Sequence, residues 1–115
     1  MTGSPTSLPL TLIVEDKGAT AIVLCQGKLV LGVTDLLYLP VSQLMSNHQS
    51  IVLDLAGLTH MDSIGLGTLV RLYVASKTRG CTLELRNLGK KVRDLLILTN
   101  LLPVFSIVGE TRIWI

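Results

Sequence analysis

The order of apolar and polar positions changes character along residues 51–80 of the chain. Ile51, Val52, Leu53 and Leu55, broken only by Asp54, form a near-continuous apolar run, as in a strand covered on both faces. A short polar loop is expected to follow. From Ser63 onward, Leu66, Leu69, Val70, Tyr73 and Val74 recur at i, i+3, i+4, i+7 and i+8, one face of a helix that should stop before Gly80. Asp62 and Ser63 are both good N-cap residues, so the serine hydroxyl is expected beside the unpaired N–H groups of the first turn. Gly65 and Gly67 fall in or near that turn, where a glycine costs roughly 1 kcal/mol relative to alanine. Two explanations stand open: close packing of the helix start on the sheet, or a helix N-terminus left accessible to an anion or a partner.

The remaining pattern surrounds this junction with further strands and helices. Residues 10–15 and 19–26 read as strands joined by a turn at Asp16, Lys17 and Gly18, and Gly27 is expected to end the second. Thr34 and Asp35 offer caps for a helix to about Ser46, with Leu36, Leu37, Val41, Leu44 and Met45 as its apolar positions. Pro40 inside it implies a kink, or a regular part that starts near Pro40. Residues 81–86 alternate, with Cys81, Leu83 and Leu85 on one face and Thr82, Glu84 and Arg86 on a wet one. Asn87 could cap a third helix over residues 89–99, with Val92, Leu95, Leu96 and Thr99 inward; Asn100 suits a left-handed end and Pro103 forbids continuation. Residues 104–108 read as a last strand and 111–115 as an extended stub. The class is therefore α/β: a mixed sheet of about five strands with an N-terminal hairpin, packed with three helices and built with right-handed crossovers.

Length limits this to one domain, because 115 residues are too few for two of ordinary size. Residues 1–9, rich in Gly, Ser and Pro, are expected to form a flexible leader, and residues 10–115 the folded unit. A net charge of +2 and an aromatic content of 3% give no basis for nucleic-acid binding. No apolar run is long enough to span a bilayer, so no membrane insertion is expected, and the N-terminus has no secretory pattern. A cytoplasmic location fits, with Cys25 and Cys81 as small buried apolar residues rather than a disulfide. No catalytic residue, cofactor or metal is expected. A nucleophile elbow needs glycines two places on either side of the serine, and Met61 takes the first of those places. The Walker lysine is absent, and His60 is a lone loop histidine. Arg71, Lys77, Arg79, Arg86, Lys90, Lys91 and Arg93 outnumber Glu84 and Asp94, either as a solvated face or as a docking surface for an acidic partner.

Leu58, Thr59, His60, Met61, Asp62, Ser63, Ile64, Gly65, Leu66 and Gly67 resemble the signature of the STAS domains, the anti-sigma factor antagonists. That signature is an apolar residue, Met or Thr, then Asp, Ser, a variable residue, Gly, Leu and Gly. The resemblance covers about residues 10–108. It implies a phosphorylation-gated interaction switch that binds an anti-sigma factor serine kinase while Ser63 is unphosphorylated and so releases a sigma factor. A phosphatase acting on phosphorylated Ser63 is implied too. The implied partner-binding residues are Asp62, Ser63, Ile64, Gly65, Gly67, Thr68 and Arg71. The chain departs from the family at Val30, where relatives carry an acidic residue, and their closing C-terminal helix is expected to be absent. Without that helix, Phe105, Ile107, Ile113, Trp114 and Ile115 are expected to form an uncovered apolar surface, and hence a homodimer through the C-terminal segment. The other reading is a permanent subunit of a signalling scaffold or lipid-transport complex, with Ser63 only a helix cap.

Overall fold

A computed structural model describes residues 8–108. Its elements run β1 (Leu10–Lys17), β2 (Thr20–Leu29), α1 (Asp35–Leu44), β3 (Ser50–Met61), α2 (Ser63–Arg79), β4 (Thr82–Arg86), α3 (Lys90–Leu98), a 3-10 turn (Leu102–Val104) and β5 (Ser106–Val108). The strands lie side by side in chain order, β1 antiparallel to β2 and every later pair parallel. Right-handed crossovers between strands laid down in sequence order carry every helix to the same face of the sheet. The core is accordingly one cluster. Val23, Leu53 and Leu85 rise from adjacent strands into Leu37, Val41, Leu69, Leu72 and Leu96 of the three helices, all of them 1% exposed or less. Fully burying one such side chain contributes about 1.5–3 kcal/mol, so this layer supplies most of the stabilisation.

The expected fold class holds, with several local corrections. β2 does not stop at Gly27. It bulges there, with Gly27 at φ +112°, and continues to Leu29 beside the second half of β3. A Cβ at Gly27 would lie 2.1 Å from the Pro9 carbonyl, so only glycine lets the chain pass. The polar loop expected after Leu55 is therefore strand, and His60 stands on β3 opposite Lys28. α1 begins at Asp35, well before Pro40, and Thr34 sits at its N-cap without a side-chain bond.

α2 turns a different face inward. Leu72 and Ser76 are buried, Val70 and Tyr73 only half-buried, and Val74 is 55% exposed. Asn87 does not cap α3. It takes a left-handed φ of +57° and sends its amide to Asp54, leaving Gly89 at the N-cap. Thr99 is exposed rather than inward. The 3-10 turn around Pro103 delays β5 to Ser106.

Phe105, expected in an uncovered patch, is 1% exposed and meets Tyr73 edge-on at 5.6 Å. The other apolar residues expected in that patch beyond Ile107, and the stub 111–115, lie outside the described residues, as do residues 1–7 of the leader. Cys25 and Cys81 are free and buried; burial, with the nearby Asp54 charge, pushes the Cys25 thiol up to about 12.

One carboxylate is enclosed with these apolar side chains. Asp54 is 6% exposed and points to the face away from the helices. It accepts the Ala56 N–H at 2.9 Å, two guanidinium bonds from Arg86 at 3.0 and 2.8 Å, and the Asn87 amide at 3.0 Å. Burial by itself would raise its pKa, but the bonds from Ala56, Arg86 and Asn87 outweigh it and hold the carboxyl below its ordinary value.

Candidate functional site

The junction of β3 and α2 is held by Asp62, not by Ser63. Asp62 is extended (φ −101°, ψ −176°), as an N-cap residue must be. Its Oδ1 accepts the Gly65 N–H at 2.8 Å and its Oδ2 the Leu31 N–H at 3.0 Å. One side chain thus closes the first turn of α2 and ties the loop after β2 to it. These bonds, Leu31 first and Gly65 second, keep the Asp62 carboxyl below its ordinary pKa. Ser63 follows as the first residue of the helix. It is exposed, and no hydrogen bond holds its hydroxyl among the described residues.

The two glycines have different reasons to be there. A Cβ on Gly65 would lie 2.0 Å from the Leu29 carbonyl, so Gly65 is where α2 presses on the end of β2. A Cβ on Gly67 would meet nothing within 4 Å; its missing side chain leaves bare helix surface. The close-packing explanation therefore holds for Gly65 and not for Gly67.

Of the residues singled out from the sequence, Ser63, Ile64 and Arg71 are exposed, and Asp62 and Gly67 are partly so. Gly65 and Thr68 are buried, and the Thr68 hydroxyl donates back to the Ile64 carbonyl at 3.2 Å. The Arg71 guanidinium lies 4.0 Å above the Tyr38 ring, which joins α2 to α1 and fixes a charge on the same face. Leu31 belongs with them. It is 73% exposed and its backbone N–H is bound to Asp62, which precedes the exposed Ile64 by two residues.

The broad basic cluster seen in the sequence is mostly internal bracing. Arg86 serves Asp54, Lys77 lies 5.2 Å over Tyr73, Arg79 donates to the Ser42 carbonyl, and Lys90 bridges to Asp94 at 2.6 Å. Lys91 has no ion-pair partner among the described residues. On the other side of Asp62 from α2 lies a cleft of about 360 Å³, walled by Val30 and residues 58–62 on one side and residues 89–92 on the other. Val30, the departure noted in the sequence, forms part of its lining next to Asp62. No group of side chains among the described residues could hold a metal ion, and no described helix is long and apolar enough to cross a membrane.

The family model of the STAS domain matches residues 11–112. The chain belongs to the STAS family. An anti-sigma factor antagonist from Mycobacterium paratuberculosis is similar to it at 24% identity and a TM-score of 0.73, over 93% of this chain and 90% of that one. The Bacillus cell fate determinant SpoIIAA in its phosphorylated form matches at 17% identity and a TM-score of 0.68, over 87% of this chain and 93% of that one. The murine anion transporter Slc26a9 matches at 18% identity and a TM-score of 0.64, over 73% of this chain but 14% of its own. At these identities the likeness is one of fold, and this STAS chain is comparable in length with the first two and with only a small part of the third.

Proposed function

We propose that this STAS domain is an anti-sigma factor antagonist whose partner is released when Ser63 is phosphorylated. The observation that carries the reading is the division of labour at the α2 start: Asp62 caps the helix, so the Ser63 hydroxyl is exposed and unengaged. A serine needed as a cap would have its oxygen facing the first-turn N–H groups and could not be modified without loss of that bond. Ser63 has no such duty, which removes the role that the permanent-subunit reading gave it.

In the unmodified state an anti-sigma factor serine kinase docks over Leu31, Ile64, Gly67 and Arg71, and a sigma factor is freed elsewhere. The kinase transfers a phosphoryl group to the Ser63 oxygen, a phosphatase removes it, and this domain contributes no chemistry of its own. Exchange with such enzymes places the cycle in the cytoplasm. A phosphate at the first helical position adds a charge of about −1.5 to −2 beside the positive end of α2, which the isolated domain tolerates. A docked partner would have to bury that charge, and a loss of about 3 kcal/mol already weakens binding more than a hundredfold. A relative that shares this fold was solved in a phosphorylated form, in keeping with a fold that tolerates the modification.

The test measures partner affinity and unfolding together. Ser63→Ala should bind constitutively and melt within about 0.5 kcal/mol of wild type, because no bond is lost. Ser63→Asp should stay folded and bind poorly. Unchanged affinity for Ser63→Asp would sink the switch.

A further inference from the structure

The cleft across Asp62 from Ser63 plays no part in the reading above, yet its chemistry is specific. Its lining is largely apolar, with Val30, Leu58 and Met61 half-buried beside the core residue Val92. Its positive groups are Lys90 and Lys91, which open α3. The carboxylate in the lining, Asp62, has both oxygens committed to the N–H groups of Leu31 and Gly65, so it is engaged within the fold. Lys90 is shared with Asp94, whereas Lys91 has no ion-pair partner among the described residues.

We infer that this cleft receives a short extended segment of the partner protein in which an apolar side chain is flanked by aspartate or glutamate. The apolar lining takes the side chain and the lysines take the carboxylates. The volume of about 360 Å³ is near the lower end for enclosing pockets, about 300–1,000 Å³, and suits one or two side chains rather than a whole helix. That the segment belongs to the kinase partner rests on the proposed function; the chemistry of the cleft does not. The position of Asp62 gives the idea its consequence. Asp62 lines the cleft and directly precedes Ser63, so a phosphate on Ser63 stands at the cleft margin. There it repels the incoming carboxylates and competes for Lys91. Gate and anchor then adjoin across a single residue.

The experiment titrates the full, unmodified chain with the peptide N-acetyl-Asp-Leu-Glu-Phe-Glu-amide and follows backbone amide signals by NMR. The expected result is saturable shifts confined to residues 30, 58–62 and 89–92. A matched peptide with lysine at each acidic position should give none. Binding should weaken with added salt and in Lys91→Glu, with Lys91→Gln intermediate and both variants melting as wild type. In Ser63→Asp it should weaken on the order of threefold, as for one added unit charge in a high-dielectric setting. No shifts, equal shifts with the lysine peptide, or the same shifts from sodium phosphate alone at equal concentration would each overturn the inference. So would shifts confined to residues 64–71, an outcome that leaves the Ser63 switch standing. Because neither kinase nor phosphorylation is used, a failed switch and a failed cleft are told apart.

Discussion

Two aspartates eight residues apart, Asp54 within β3 and Asp62 just past its end, show how one strand serves both the fold and the site. Asp54 is almost fully enclosed and is satisfied chiefly by side chains, Arg86 and Asn87, which lock β4 to β3. Asp62 lies at the surface and is satisfied by backbone N–H groups of Leu31 and Gly65, which leave its neighbour Ser63 free. A buried charge requires a countercharge, and that requirement ties Asp54 to a single structural duty. A capping carboxylate at a helix start requires only N–H groups that are unpaired anyway. The residue after β3's end can therefore carry an exposed, unengaged hydroxyl at little cost to the fold.

The largest expected effect separates packing from openness at the Asp62 end. Gly65→Ala pushes a methyl group into the Leu29 carbonyl and should destabilise by about 3 kcal/mol, whereas Gly67→Ala meets open space and should gain up to about 1 kcal/mol. Chemical denaturation of both decides it. If Gly65→Ala unfolds at the wild-type midpoint, the tight seating of α2 on β2 is wrong.

A middle-sized effect sets the two carboxylates directly against each other. Arg86→Ala leaves Asp54 enclosed without its cation and should cost about 2 kcal/mol, below the usual figure for a buried pair because Arg86 is itself 32% exposed. Asp62→Ala removes a cap and should cost about 1 kcal/mol. Equal losses in the two variants would erase the distinction between them.

The smallest effect is in the pH dependence, and here the two aspartates behave alike. Both have depressed folded pKa values, so the stability they contribute is present above their unfolded value of about 3.9 and is lost as pH falls through the folded values. His48 gives the opposite slope. Its side chain is 5% exposed, with Nδ1 at 2.9 Å from the Leu44 carbonyl and Nε2 at 3.3 Å from Asp16, and these acceptors raise its pKa, Leu44 foremost. Its contribution is full below about pH 6.5 and lost as pH rises through the raised folded value. Unfolding measured in steps from pH 2 to pH 9 should fall at both ends, and His48→Gln should flatten the upper one and, by removing the His48 bond that helps hold the Asp16 carboxyl low, soften the lower one slightly.

The sequence carried the element order and the α/β class, because the periods of β3 and α2 and the glycines and prolines around them are local signals. It misjudged what depends on distant pairing. Residues 56–61 look like a loop because Thr59 and His60 are polar, yet they pair with the far end of β2 across the bulge at Gly27. Gly27 looked like a stop because glycine both ends strands and bends them. At the site, Asp62 and Ser63 were equally good caps on composition, and only the bonds to Gly65 and Leu31 separate them. Leu31 follows Leu29 and Val30 in one short apolar run, so nothing local marked it as exposed or as tied to Asp62. The cleft had no local signal at all, since residues 30, 60 and 91 meet only in the folded chain.

The side-by-side order of the strands bears also on how the chain acquires its shape. Each strand pairs with the one before it in sequence, so no pairing has to wait for a segment from the opposite end of the chain. Loop-closure entropy is then met in small successive steps, the condition for rapid assembly in a mixed α/β domain. The β1–β2 hairpin can form while the rest of the polypeptide is still being synthesised, and β3 can add to it once α1 has emerged. The junction bearing Ser63 is laid down on a sheet that already exists.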